Sequence, residues 1–228
     1  MRYFMKRHAR FAWSLCAAVA LASVNALAVA ADETDDPERA EVLRQCPGVA
    51  EFTHTQERNT PAMVEAQAPS LPALRDELLA MEKADQDVRN GASAAIDVDG
   101  KNLVRIREII AGYGFPTADL VGADGVAAAW LLVQHADDVA LQEQVLETIS
   151  PPHAMPQGID GQKIALLTDR VLLRQEKSQR YGSQLRMGEN GLEPLPIEDE
   201  ANVDARRAQM GMMPLADYLC MVRVMSAG

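Results

Sequence analysis

The chain has 228 residues, with 22 basic against 33 acidic side chains and a formal charge of −11. Its 48% hydrophobic and 24% charged content is that of a folded domain and not of a disordered one. The acidity and an aromatic content of only 4% argue against a nucleic-acid surface, which needs positive charge for phosphates and rings for stacking. Three cysteines without Cys-x-x-Cys spacing argue against a zinc ribbon or a disulfide-dense miniprotein.

Met1 to Arg10 carries Arg2, Lys6, Arg7 and Arg10 and no acid. Phe11 to Ala31 is uncharged and ends in Ala28-Val29-Ala30, just before the acidic Asp32-Glu33-Thr34-Asp35-Asp36. This order of basic, apolar and small residues predicts a secretory signal peptide over residues 1–30, and a protein that is periplasmic or secreted. A retained membrane anchor is the rival reading, weakened by the many alanines and by Ser14, Ser23 and Asn25 inside the run. Cleavage removes basic residues only, so the mature chain would be repelled by anionic lipid and nucleic acid alike. Neither a membrane nor a nucleic acid is expected as its partner. The mature chain keeps Cys46 and Cys220, which either close a long bridge in an oxidising compartment or stay as two thiols.

Residues 31–69 are polar, hold Pro37, Pro47, Pro61 and Pro69, and read as an extension or linker with one short helix around Pro37 to Gln45. A helical domain is expected over 70–225. Ser70 reads as an N-cap before Leu71-Pro72, after which Leu74, Leu78, Met81, Asp85 and Val88 recur at helical steps. Asp85 thus interrupts an apolar stripe. A second helix is predicted from Asp99 to Tyr113, ended by Gly112, Gly114 and Pro116. A third runs from about Asp124 to Ala136 and is apolar on every side between Val126 and Val133, as the buried central helix of a domain should be. Leu141 to Ile149 and Gly161 to Arg174 follow as the fourth and fifth helices. Around the turn signal Gly188-Glu189-Asn190-Gly191 a short, irregular β-hairpin is expected near residues 179–197, with Gln179 and Tyr181 on one face of a strand. Val203 to Gln209 and a segment from Pro214 close a mainly α domain of six to seven helices with one hairpin.

Asp97-Val98-Asp99-Gly100 resembles a calcium loop only superficially. Asn102 stands where the turn glycine belongs and residues from Leu103 read as helix, so a turn with an Asp N-cap accounts for it. His135, at the end of the central helix, has no second metal ligand at i+4, and no metal or cofactor site is read from the chain. It is either a cap that gains from the helix dipole or a general base held by Asp137 or Asp169. Asp85, if buried, needs a partner, and Arg89 or Arg170 can supply one.

Several motifs follow one another in order: Asp85-Gln86-x-x-Arg89, Trp130-Leu131-x-Val133-Gln134-His135-Ala136-Asp137, Thr168-Asp169-Arg170, and Gln179-Arg180-Tyr181-Gly182-Ser183-Gln184. Val203-Asp204-x-Arg206-Arg207 and Pro214-Leu215-x-x-Tyr218 come after them. Together they resemble a bacterial domain-of-unknown-function family marked by Gln-x-Tyr-Gly-Thr/Ser-Gln, over about residues 72 to 220. The resemblance implies a shared fold and site, and no activity. It directs attention to His135, Asp169, Arg170, Gln179, Tyr181 and Gln184 as a polar cleft between hairpin and central helix. The first reading is a binding module for a small polar ligand or peptide. The second is a metal-independent hydrolase or transferase with His135 as base and Asp169 as a further catalytic candidate. The third is a structural or partner-interaction protein of the cell envelope.

Overall fold

The computed structural model describes residues 37–59, 68–188 and 191–226; the expected signal peptide lies outside them. The elements are α1 (Pro37–Gln45), α2 (Pro47–Asn59), α3 (Pro72–Arg89), α4 (Val98–Tyr113), α5 (Ala118–His135), α6 (Val139–Ile149) and α7 (Gly161–Arg174). Then come β1 (Leu185–Gly188), β2 (Gly191–Pro194), a 3₁₀ turn at Glu200–Asn202, α8 (Val203–Gln209) and α9 (Leu215–Met225). The mainly helical class with one hairpin is as expected, but the described residues hold nine α-helices, not six to seven. The surplus lies in the segment read as a linker, where α2 was not foreseen.

Helix α5 forms the axis because it is apolar all round: Val126 and every residue from Ala128 to Gln134 are buried. A break at Gly122, with φ 75°, separates its first turn from the long run through Trp130. Helix α3 lies alongside in the same direction, seated by backbone bonds from Ser70 to the Asp119 carbonyl (2.9 Å) and from Leu71 to Leu120 (2.8 Å). Ser70 is therefore not the N-cap of α3. Leu71 holds that position, and the Ser70 hydroxyl donates to the Asp119 carbonyl instead. Helix α4 returns antiparallel, clipped to α3 by Arg105 on Glu77 (Nη2–Oε2 3.0 Å). Asp97 does stand at its N-cap, but in the left-handed region and without a side-chain cap bond. Leu78, Ile106, Val126, Ile149 and Leu167 are sealed in the core these helices share with α6 and α7. Each such aliphatic side chain contributes roughly 1.5–3 kcal/mol by leaving water.

A second, smaller core explains α1 and α2. Val42, Cys46 and Val49 pack on Leu192 of the hairpin and on Met213, Met221 and Val222 around α9. This short apolar stripe, interrupted by Pro47, is too weak to sustain helices in isolation, and most of their stability has to come from the surface they cover. Cys46 and Cys220 are joined as a disulfide, tying the α1–α2 junction to α9.

The hairpin pairs β1 and β2 antiparallel, Leu185 opposite Pro194 and Gly188 opposite Gly191. It is shorter than expected. Residues 180–184 form no strand; they turn tightly around a single buried carboxylate, described next.

Candidate functional site

At the shared end of α3 and α5, Asp85 sits on the buried face of α3 with 1% exposure. His135 Nδ1 lies 2.7 Å from Asp85 Oδ2. Gln86 Nε2 donates to the same oxygen at 3.0 Å, and Arg89 Nη1 stands 3.0 Å from Oδ1. Arg89 also reaches Asp99 Oδ1 at 3.1 Å. A carboxylate buried alone is costly; here cation, amide and imidazole together satisfy both oxygens. The arrangement favours one tautomer of the neutral ring: with Nδ1–H donating to the Asp85 carboxylate, Nε2 is the nitrogen without a proton. His135 Nε2 makes no hydrogen bond among the described residues, and the side chain keeps 12% exposure.

Neither Asp137 nor Asp169, the two acids expected to orient His135, bonds to it among the described residues; Asp85 does. Asp137 pairs with Arg174 (2.5 Å), and Asp169 is fully engaged elsewhere. Nor is His135 needed as a cap. Gln142 Nε2, buried, donates to the carbonyls of Val133 (3.1 Å), Gln134 (3.3 Å) and Ala136 (3.0 Å) and so closes the end of α5. Beside it, the Gln134 amide is fully buried and has no hydrogen-bond partner among the described residues. One turn before Asp85, Glu82 is half-buried, and burial, helped by the charges of Asp85 and Asp124, pushes its carboxyl above the usual range.

The other polar cluster is built on α7. The Asp169 carboxylate, wholly buried, accepts the backbone N–H groups of Arg180 (2.7 Å), Tyr181 (3.0 Å) and Ser183 (2.9 Å). Burial raises its pKa, and the three N–H donors only partly offset this. Gly182 allows the turn: its φ is +68°, and a Cβ there would come within 2.9 Å of both Ile197 and Leu215 side chains. Gln179, also buried, accepts from Gln184 N (2.9 Å) and donates to the carbonyls of Gln184 (3.0 Å) and Leu195 (2.7 Å). Gln184 Nε2 donates to Ser183 Oγ at 3.2 Å. Tyr181 is half-buried, its ring 5.9 Å from the Arg180 guanidinium carbon, and burial pushes its phenol up. Arg170 follows Asp169 on α7 and is partly buried.

The structure therefore brings Asp169, Gln179, Tyr181 and Gln184 together, and no hydrogen bond joins any of them to His135 among the described residues. Asp169 and Gln179 are spent on backbone, holding the hairpin in place. Two residues of this end were not singled out. Arg206 Nε donates to the Arg180 carbonyl (2.9 Å), and Arg207 donates to the carbonyls of Met213 (Nε, 2.6 Å) and Tyr181 (Nη1, 2.6 Å). The Arg206-Arg207 pair was visible in the motif order, but nothing local marks which arginine is buried. No group of three His, Cys, Asp or Glu side chains able to hold a metal ion occurs among the described residues. None of their helices is long and apolar enough to cross a membrane.

Fold and site define a class: a mainly helical domain with an Asp–His pair at one end of its central helices and a carboxylate-pinned hairpin packed against it. The model of a family described as "Family of unknown function (DUF6624)" matches residues 72–226, well over half of the chain, and the chain belongs to that family. Helices α1 and α2 precede the matched residues. No curated protein and no solved structure matches the chain.

Proposed function

We propose that this chain is exported, to the periplasm or beyond the cell, and acts there as an acid–base enzyme. In this reading it is a hydrolase or transferase that needs no metal, with His135 as general base and Asp85 as the residue that positions it. One observation carries the reading: a buried, fully partnered carboxylate holds one imidazole nitrogen, while the other has no partner among the described residues, on a partly exposed ring. That is what proton abstraction from a water or a substrate hydroxyl requires, and such a base is worth roughly 10²–10⁴ in rate. The basic N-terminal segment followed by an apolar run and Ala28-Val29-Ala30 supports export.

The test is a panel of chromogenic esters, amides, glycosides and phosphodiesters, run with the mature chain in the presence of a chelator. His135→Gln should lower the turnover found by about 10²–10⁴-fold with an unchanged melt, and Asp85→Asn should shift the pH profile. Equal turnover in a folded His135→Gln protein would end the proposal. Export is checked by fractionating cells that make the precursor and weighing the product; an intact N-terminus in the cytoplasm would refute it.

A further inference from the structure

Helix α3 carries a second carboxyl group on the stripe that meets α5. Leu74, Leu78, Glu82, Asp85 and Arg89 follow one another at three- and four-residue steps, which keeps them on one face of a helix. Leu74, Leu78 and Asp85 are buried there, and Glu82 is half-buried between them. It stands between the two contacts that tie α3 to α5: Arg75 on Asp124 (Nε–Oδ1 2.9 Å) and Asp85 on His135 (2.7 Å). Side chains three residues apart on a helix have Cβ atoms about 5–6 Å apart, so Glu82 is a neighbour of the Asp85–His135 pair.

The charged groups around Glu82 are committed elsewhere. On α3 itself, Arg75 pairs with Asp124 and Asp76, Lys83 with Asp87, and Arg89 with Asp85 and Asp99. From α4, Arg105 takes Glu77 and Glu108. Between Asp124 and His135, α5 has no charged residue. Among the described residues, Glu82 is the one charged residue of α3 without an ion pair, and its side chain makes no hydrogen bond. A carboxyl group placed there costs stability that an aliphatic side chain would not. Burial first, and then the charges of Asp85 and Asp124, push it toward its protonated form. A proton-bearing acid beside a histidine held as a base is the division of roles that acid–base catalysis needs.

We propose that Glu82 is the general acid of the site in which His135 is the base, and that the substrate is an alkyl ester, whose leaving alkoxide needs a proton. This rests on the acid–base reading of His135 and gives it a second catalytic residue and a substrate class. The oxygen of a water bonds to the acyl carbon while His135 Nε2 takes one of its protons. The bond from that carbon to the alkoxy oxygen then breaks; that oxygen keeps the electron pair and takes the proton of Glu82. A carboxylic acid and an alcohol leave, and exchange with water returns the imidazolium proton to Glu82. Both side chains keep part of their surface in solvent, so the substrate meets them at the rim of the α3–α5 seam and needs no enclosed cavity.

The experiment gives the mature chain ethyl butyrate and 4-nitrophenyl butyrate, which share an acyl part and differ in whether the leaving oxygen needs a proton. Glu82→Gln should slow ethyl butyrate by about 10²–10⁴-fold and 4-nitrophenyl butyrate far less, with part of the loss recovered in Glu82→Asp. His135→Gln should slow both esters alike. Independently of turnover, the imidazole NMR signals of His135 should move as Glu82 titrates in the parent, and lose that movement in Glu82→Gln. Melts show which variants fold; if Glu82→Gln does not, the same split between the esters in Glu82→Asp decides. Equal losses on the two esters would overturn Glu82 as the acid and leave His135 as the base. A His135 signal indifferent to Glu82 would overturn the shared site. A chain active on another bond class and on neither ester would overturn the ester assignment, whereas a chain inactive on every substrate would end the base reading and this proposal with it.

Discussion

Two buried carboxylates stand at two places in this fold, and they are satisfied in different ways. Asp169 is met by three backbone N–H groups of one turn, so it shapes the chain and has nothing left to offer a substrate. Asp85 is met by side chains, one of them an imidazole whose far nitrogen has no partner among the described residues. The first arrangement is closed. The second leaves one ring nitrogen without a partner among the described residues, on a side chain that keeps 12% exposure. Burial and polarity alone do not separate the two acids; the nature of their partners does.

The largest effect expected from breaking this contrast is on stability at the hairpin. Asp169→Ala strands three N–H donors, each costing about 1–3 kcal/mol, so urea unfolding should show a loss of about 4 kcal/mol or more. Asp85→Asn keeps an acceptor for Nδ1 and should cost about 1–2 kcal/mol, with its main consequence at His135. If the two variants lose the same stability, the distinction between a structural and a working carboxylate fails.

A second effect distinguishes the two ends by the sign of their pH dependence. The folded pKa of Asp169 is raised, mainly by burial, above its unfolded value of about 3.9. Its contribution to stability is therefore fully present below that value and is lost as the pH climbs through the folded pKa. Asp138, three residues beyond His135, goes the other way. Burial would raise its pKa, but Arg107 (Nε–Oδ2 2.8 Å) and the N–H groups of Leu141 and Ala140 outweigh it and hold the carboxyl low. Its contribution is present above about 3.9 and is lost as the pH falls through the lowered folded value. Chemical melts between pH 7 and pH 3 should thus show the gap between parent and Asp169→Asn widening on acidification, and the gap to Asp138→Asn closing. Parallel slopes would contradict the assignment.

The smallest effect concerns Gln134, next to His135. Its amide is buried without a partner among the described residues, whereas the neighbouring Gln142 amide donates to three carbonyls. Gln134→Met keeps the volume and removes the polar atoms, and should gain about 1 kcal/mol in a denaturant melt. A loss of that size would mean the amide is satisfied in solution.

Much of the scaffold was legible before any coordinates. The periods of Leu74-Leu78-Met81 and Ile164-Leu167-Val171, and the apolar run Val126 to Val133, define α3, α7 and α5, the last two ending at Arg174 and His135. The anomalous Asp85 and His135 were each visible as a polar residue out of place, but not as a pair. They are 50 residues apart, and only the parallel seating of α3 on α5 makes them meet. In the Gln179–Gln184 motif the polar side chains suggested a ligand; that of Gln179 bonds to backbone of its own segment and hairpin, and that of Gln184 to the Ser183 hydroxyl. Helix α2 was missed because the surface that stabilises it, around Met213, Met221 and Val222, lies far along the chain.

By itself the sequence determined the helical class, the buried central helix, the presence of one hairpin and the net negative charge, since these follow from local periodicity, turn chemistry and composition, which neighbours along the chain decide. Tertiary structure alone decided which acid holds His135, which arginine is sealed inside, and that Cys46 meets Cys220. These are contacts between distant segments, and their energies depend on burial and on the direction of donors and acceptors, quantities that no short window of residues contains.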